Sequence, residues 1–302
     1  MLVFLTGASG YIGSAVLRAL IAHDHSVTAV LRSDEKAAGA QQSGATVLVG
    51  DLSDQDLVAR LAREADAVVH TASGEHVDPD FIATVLAALE GTTKPFVHTG
   101  GIFTFGASGE ITEDSPVSPP TLTAWRAANE ARVRASTVRT TIVAPGIVHG
   151  RAAGIPTMFV PDGDAPVRLV GDGTQHWTTV HVDDLAELYV LAVERGDQDG
   201  YLVAASGHNP TVRELAQAGV DGQAGVDGQA GVDGQAGVDG QSAVQASVLA
   251  ESAAESRERL GTDFADALLL DQVATGAHAR SLGWRPSRPT LVDELRSGYR
   301  AD

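Results

Sequence analysis

Cysteine is absent from this chain of 302 residues, and methionine, aromatic residues and lysine are scarce. Without a thiol the chain cannot form disulfides, thiolate metal sites or iron–sulfur clusters, and it has no cysteine nucleophile. The 21 Lys and Arg residues against 39 Asp and Glu residues leave a formal net charge of −18, which repels nucleic-acid phosphates and anionic lipids. No stretch approaches the roughly 18 apolar residues of a membrane span, and no basic leader precedes residue 6. We therefore expect a cytoplasmic protein without metal, nucleic-acid or membrane partners.

Glycine, in contrast, is frequent, and one source of it is residues 218–241, where the hexapeptide AGVDGQ occurs four times. Each copy contains a single valine, so the segment offers little apolar surface to bury. Its glycines recur at every third position, but the run has no proline to fix the dihedral angles of a collagen helix. The free energy gained by burying so little apolar surface does not offset the conformational entropy lost when the segment is ordered. The repeat is therefore predicted to be a mobile polar insertion.

Outside the repeat, short apolar runs alternate with segments of helical periodicity. Strands are predicted at 2–6, 26–31, 46–49, 67–71, 95–99 and 140–143, and helices at 14–22, 55–64, 81–89 and 124–136. After residue 150 we predict a helix over 182–194, a strand over 201–204, and helices over 211–217 and 243–260. Strands joined by helices in this way predict an α/β fold, in which helices cover both faces of a doubly wound parallel sheet.

A glycine-rich loop follows the first predicted strand directly. Residues 6–13, TGASGYIG, place glycines at three-residue spacing just before a helix. Such glycines let the backbone turn tightly and let its N–H groups approach a pyrophosphate. The position inside a βαβ unit makes the pattern a specific signal for a dinucleotide. The residues of this loop predicted to bind the cofactor are Thr6, Gly7, Ser9, Gly10, Tyr11, Ile12 and Gly13.

The loop identifies the predicted fold as a Rossmann fold with a smaller C-terminal substrate lobe. We predict that residues 1–150 plus about 176–206 form the dinucleotide-binding domain. The lobe is predicted to consist of residues from about 151 to 175 and from 207 to 302, and it contains the repeat at 218–241.

The residue after the second strand favours NADP over NAD. An acidic residue at that position binds the ribose hydroxyls of NAD, whereas this chain has Arg32, whose guanidinium can bind a 2′-phosphate. NAD remains possible, because Arg32 can also be a solvated strand-end residue and Asp34 or Glu35 can turn toward the ribose. Asp51 and Leu52, after the third strand, are predicted to contact the adenine. Asp51 alternatively caps the helix that follows it.

Further motifs, in chain order, resemble those of the extended short-chain dehydrogenase/reductase superfamily, of the NAD-dependent epimerase/dehydratase type. They are GDL at 50–52, VVHTA at 68–72, APGIVHG at 144–150, HVDDLA at 181–186 and LGWRP at 282–286. The resemblance covers nearly the whole chain except the repeat. It implies that Thr71 and Ala72 lie on the nicotinamide side of the cofactor and that Pro145 also contacts it.

The residues that the superfamily uses for catalysis are missing. Active members have a Ser or Thr after the fifth strand and a YxxxK pair on the next helix, and these positions hold Gly101, Trp125 and Asn129 here. An indole cannot donate its proton to a reacting oxygen at neutral pH, and a carboxamide cannot lower the pKa of a neighbour as an ammonium group does. The chain therefore resembles the atypical branch that lacks the Ser-Tyr-Lys triad. Thr99 and His149 are the remaining candidates for a catalytic role.

Three functions stay open on the sequence alone. One is an NADP-linked oxidoreductase that reduces a small carbonyl substrate, with the proton supplied by water, a His or a Thr. Another is a dinucleotide-binding sensor or scaffold without turnover. A nucleotide-sugar epimerase or dehydratase is the third, and the missing Tyr and Lys weigh against it because its chemistry requires reversible proton removal.

Overall fold

The computed structural model describes residues 1–195, 200–230 and 246–300, and its centre is a seven-stranded sheet. The strands are β1 Leu2–Thr6, β2 Ser26–Leu31, β3 Thr46–Val49, β4 Ala67–His70, β5 Phe96–Thr99, β6 Ser108–Ile111, β7 Thr140–Pro145, β8 Ile147–His149, β9 Val167–Arg168, β10 Thr179–His181, β11 Gly200–Ala204, β12 Val248–Leu249 and β13 Gln272–Ala274. The sheet order is β11-β7-β5-β4-β1-β2-β3, with every neighbouring pair parallel. The Rossmann prediction is therefore confirmed. The other strands form the pairs β8 with β10, β9 with β12 and β6 with β13.

Helices connect these strands and cover them. They are α1 Tyr11–Ala22, α2 Asp34–Gln42, α3 Gln55–Glu64, α4 Asp78–Leu89, α5 Ala124–Arg134, α6 Val182–Arg195, α7 Val212–Ala230, α8 Ala253–Leu260, α9 Thr262–Leu268, α10 Ala277–Ser281 and α11 Leu291–Arg296. Short 3-10 helices span Ile102–Phe105, Thr121–Thr123 and Ile155–Phe159. In the described residues no helix is long and apolar enough to cross a bilayer.

Strand residues alternate between two cores because successive side chains point to opposite faces of a sheet. Val3 and Leu5 pack with α1 and α6 on one face, whereas Phe4 packs with α3 and α4 on the other. Burial on both faces explains why the strands read as continuous apolar runs rather than as alternating patterns.

A third core is formed by buried residues from Ile147 to Tyr299. Phe159, Leu169 and Trp177 pack there against α7 and α11. The proposed division into a dinucleotide-binding domain and a smaller lobe stays a prediction, and this core contains residues of the predicted lobe.

Two predictions about the C-terminal segments were wrong. Helix α7 does not end at residue 217 but continues through the first two copies of the repeat, and Ala218 and Val220 are buried in the third core. The start of the repeat is thus a packed helix; residues 231–241 lie outside the described residues. The helix predicted from residue 243 begins only at Ala253, where Ser252 forms a capping box with Glu255, and residues Val248–Leu249 form a strand instead.

Candidate functional site

The glycine-rich segment between β1 and α1 has no room for a side chain at Gly7 or at Gly13. Gly7 has φ +75°, and a Cβ atom placed there would lie 2.6 Å from the backbone nitrogen of Ala72. A Cβ atom on Gly13 would lie 2.0 Å from the carbonyl oxygen of Gly7. The loop therefore packs against the segment after β4 with its backbone, and it begins α1, whose first N–H groups are the ones that bind phosphate in such folds. This cradle fits a dinucleotide pyrophosphate.

A cleft of about 350 Å³ opens beside the loop. Its lining residues come from the carboxyl ends of β1, β2, β3 and β4, where ligands bind in doubly wound sheets. They are Gly7, Ser9, Val30, Leu31, Arg32, Lys36, Gly50, Asp51, Leu52, Ala72, Ser73, Gly74 and Val77. Of the predicted cofactor residues, the cleft brings together Gly7, Ser9, Arg32, Asp51, Leu52 and Ala72.

The cleft carries its charges at the ends of β2 and β3. Arg32 and Lys36 are the basic lining residues, and Asp51 is the acidic one in the part of the chain that the structure describes. Asp51 Oδ1 accepts a hydrogen bond of 2.8 Å from the Ser53 backbone N–H, which lowers the pKa of Asp51. Asp34 and Glu35 lie in the first turn of α2 and do not line the cleft. Lys36, in the first turn of α2, was not among the residues predicted from the sequence, and no local motif marks it.

Three other predicted cofactor residues form hydrogen bonds between the loop and neighbouring segments of the chain. The Thr6 hydroxyl lies 2.7 Å from His70 Nδ1, and the Thr71 hydroxyl donates to the Thr6 carbonyl oxygen at 2.7 Å. Tyr11 donates its hydroxyl to the Gly150 carbonyl oxygen at 2.8 Å, and burial raises its pKa. The remaining ones, Gly10, Ile12, Gly13 and Pro145, do not line the cleft.

Thr99 lies at the end of β5, and its hydroxyl forms two hydrogen bonds. It donates to the His70 carbonyl oxygen at 2.7 Å and lies 2.6 Å from the hydroxyl of the buried Tyr189. Since Thr99 has a single proton to give, Tyr189 is the donor in the second bond. Burial raises the pKa of Tyr189 beyond its usual range. Both groups therefore hold β4, β5 and α6 together.

His149 lies away from this strand end, in a histidine–carboxylate–histidine cluster. Its Nδ1 atom is 2.5 Å from Glu294 Oε2, and His181 Nε2 is 3.3 Å from Glu294 Oε1. Burial alone would raise the pKa of Glu294, but the hydrogen bonds from both histidines lower it to about 2. Burial also lowers the pKa of His149 despite this partner. No local motif marks Glu294, which lies 145 residues after His149 along the chain.

The three residues predicted to occupy the triad positions differ in their surroundings. Gly101 has open space around it, with nothing within 4 Å of an added Cβ atom. Trp125 is half-buried, and the Arg126 guanidinium lies 4.5 Å from the centre of its ring. Asn129 is buried, and its Nδ2 atom has no hydrogen-bond partner among the described residues. In the described part of the chain, none of these three residues is hydrogen-bonded to Thr99.

A sequence model of the NAD(P)H-binding family matches residues 7–195. The chain belongs to this family. An uncharacterized protein of Schizosaccharomyces pombe is 28% identical over 98% of this chain and 99% of its own. A 4-hydroxy-2-methyl-3-oxo-4-farnesyl-3,4-dihydroquinoline-1-oxide ketoreductase of Stigmatella aurantiaca is 28% identical over 65% of each chain.

The fold is similar to that of the human epimerase family protein SDR39U1 crystallised with NADPH. The TM-score is 0.71 at 20% identity, over 98% of both chains. The resemblance to the extended short-chain dehydrogenase/reductase superfamily, of the epimerase/dehydratase type, is confirmed at the level of the NAD(P)H-binding family and the fold, and the missing Ser-Tyr-Lys triad stays a prediction. Because that identity is low, the likeness shows the fold and not the reaction.

Proposed function

We propose that this NAD(P)H-binding protein prefers NADP(H) and uses it to reduce the carbonyl group of a small substrate. The observation that carries the cofactor preference is the pair of cations, Arg32 and Lys36, in the cleft at the end of β2. A 2′-phosphate at that strand end would meet two positive charges, and the carboxylates of Asp34 and Glu35 lie outside the lining.

The residues that would hold the cofactor follow from the cleft. The backbone of the loop at Gly7 and Ser9 would bind the pyrophosphate, Arg32 and Lys36 the 2′-phosphate, and Asp51 with Leu52 the adenine. When bound, the reduced nicotinamide supplies a hydride to the carbonyl carbon. The π electron pair of the carbonyl moves onto its oxygen, which takes a proton to give the alcohol.

Water is the proton source that we propose. Trp125 and Asn129 cannot act as general acids near neutral pH, the Thr99 hydroxyl donates its proton to the His70 carbonyl oxygen, and His149 is paired with Glu294. We assign Thr99 and His149 to positioning the strand ends and the lobe rather than to proton transfer. The similarity to the ketoreductase of Stigmatella aurantiaca supports carbonyl reduction as the reaction class.

A second candidate is a cofactor-binding sensor without turnover, which the tryptophan and asparagine at the triad positions favour. Single-turnover oxidation of bound NADPH over a panel of carbonyl compounds separates the two. Tight NADPH binding without oxidation by any of the compounds would favour the sensor. A cytoplasmic location is compatible with either function.

The cofactor preference is tested by fluorescence titration of NADPH and NADH. The unaltered protein should bind NADPH about tenfold more tightly, which equals about 1.4 kcal/mol. Arg32→Ala should remove most of this difference and leave NADH affinity nearly unchanged, because only the 2′-phosphate contact is lost. Arg60→Ala is the matched control, since Arg60 is exposed on α3 and pairs with Glu64 outside the cleft. Equal affinities of the unaltered protein for both cofactors would refute the preference.

A further inference from the structure

Arg126 reaches from the first turn of α5 to the carboxyl ends of two central strands. Its Nη1 atom donates to the Thr99 carbonyl oxygen at 3.3 Å, at the end of β5, and its Nη2 atom donates to the Ser73 hydroxyl, just after β4. Ser73 also lines the cofactor cleft. The guanidinium therefore lies beside the cleft on the side of β4 and β5.

The positive charge of Arg126 has no counter-charge in contact. Its hydrogen-bond acceptors are a carbonyl and a hydroxyl oxygen, and among the described residues no carboxylate forms an ion pair with it. Two carboxylates act on it from a distance. Asp78 Oδ1 accepts from Gly74 N–H and lies 3.3 Å from His70 Nε2, whereas Asp78 Oδ2 has no hydrogen-bond partner among the described residues. Glu130 accepts from Tyr201. Burial lowers the pKa of Arg126, and the charges of Asp78 and Glu130 only partly oppose this shift.

A partly buried cation without a partner is costly, and an anionic ligand would offset that cost. The guanidinium retains donors for such a ligand, because it has five N–H groups and two of its nitrogen atoms are engaged. Its stacking on Trp125 restrains the plane while leaving its edge for hydrogen bonds.

The anion in question is not a phosphate of the cofactor. The pyrophosphate belongs at the glycine loop and the 2′-phosphate beside Arg32, both on the β1 to β3 side of the sheet. The ends of β4 and β5 lie on the other side of the point where the strand order reverses, between β1 and β4, and there the nicotinamide half and the substrate meet. A negative group at Arg126 therefore comes from the substrate.

We propose that Arg126 binds a carboxylate of the substrate, so that the protein reduces oxo acids rather than neutral ketones or aldehydes. This inference rests on the proposed function. A planar guanidinium matches a carboxylate with two parallel hydrogen bonds, which fixes the orientation of the neighbouring carbonyl.

The test uses carbonyl compounds in acid and amide pairs: pyruvate with pyruvamide, acetoacetate with acetoacetamide, and phenylpyruvate with phenylpyruvamide. Binding to the NADPH complex is followed by quenching of NADPH fluorescence, and KM and kcat are measured where oxidation occurs. The unaltered protein should bind at least one acid about 10- to 100-fold more tightly than its amide. Arg126→Met, which keeps the apolar stem, should abolish that ratio while the Kd for NADPH changes less than threefold.

Arg132→Met is the matched control on the same helix, because Arg132 is exposed and donates to the Pro79 carbonyl oxygen. It should keep the acid-to-amide ratio of the unaltered protein. Arg126→Lys, which retains the charge without the planar fork, should keep part of the ratio, and it also reports on the site if the methionine variant folds poorly.

The outcomes separate this inference from the proposed function. No preference for any acid in the unaltered protein, or a preference that survives in Arg126→Met, overturns the carboxylate site while normal NADPH binding leaves the cofactor assignment intact. Failure of the unaltered protein to bind NADPH overturns both.

Discussion

At the scale of single residues, the structure gives new roles to side chains that the sequence marked for chemistry. Thr99 and His149 were the expected catalytic groups, yet each is held by partners from distant segments: Thr99 by Tyr189, and His149 by Glu294. Arg126, which no motif marked, is the charged group that reaches the ends of β4 and β5. A single hydroxyl or imidazole is therefore a weak indicator of chemistry until its hydrogen-bond partners are known.

The histidine–carboxylate cluster makes stability depend on pH. In the folded protein the pKa of Glu294 is lowered from 4.5 to about 2, so its charge stabilises the fold fully above about pH 4.5 and this contribution is lost as pH falls toward 2. Glu294→Gln should lower the free energy of unfolding at pH 7 by about 1–3 kcal/mol, the scale of hydrogen bonds to a charged group. The deficit relative to the unaltered protein should shrink between pH 4.5 and pH 2.

Urea unfolding at pH 7, 5, 4 and 3 measures this dependence. Glu64→Gln is the control, because Glu64 forms an exposed pair with Arg60 on α3 and should change stability by at most about 0.5 kcal/mol. A deficit for Glu294→Gln that stays constant across the range would contradict a role for the carboxylate charge.

At the scale of elements, α7 shows how a glycine-rich repeat becomes a packed helix. A Cβ atom on Gly219 would lie 1.9 Å from the Phe159 carbonyl oxygen, and one on Gly222 would lie 2.1 Å from the Leu295 carbonyl oxygen. The glycines thus let α7 approach the neighbouring backbone closely, while Ala218 and Val220 fill the core between them. Close backbone approach offsets the entropy that glycine loses in a helix.

Alanine substitutions should therefore have opposite effects in two helices. Gly219→Ala should lower the free energy of unfolding by about 1–3 kcal/mol or more, because overpacking forces α7 away from Phe159. Gly39→Ala in α2, where nothing lies within 4 Å of the added Cβ atom, should raise it by about 0.4–1 kcal/mol. Denaturant unfolding of both variants checks this, and a neutral or stabilising Gly219→Ala would show that α7 does not pack as described.

At the scale of the whole molecule, the cofactor loop is connected to the C-terminal end of the chain. Tyr11 of α1 donates to the Gly150 carbonyl oxygen, and Tyr299 accepts from the Gly150 N–H and donates to the Ala153 carbonyl oxygen. Because α1 begins at the loop, a ligand bound there stabilises a network that spans both ends of the chain.

Cofactor binding should accordingly raise the melting temperature of the whole chain in one transition. NADPH at 100 times its Kd adds about 2.7 kcal/mol, which corresponds to about 4 °C for a protein of this size. NADH at the same concentration should give about half that shift if it binds tenfold more weakly. Calorimetry with each cofactor measures the shifts; two separate transitions, with only the first moving, would contradict the connection through Gly150.

The sequence by itself determined the central sheet and the position of the cofactor loop. Apolar runs and the spacing of Gly7, Gly10 and Gly13 are local signals, because strand burial and backbone approach leave their mark within a few residues. The tertiary structure decided the packing of α7, the pairing of His149 with Glu294 and the place of Arg126. Each of these depends on a contact with the backbone or a side chain of a distant segment. A short stretch of sequence contains only one of the two partners in such a contact.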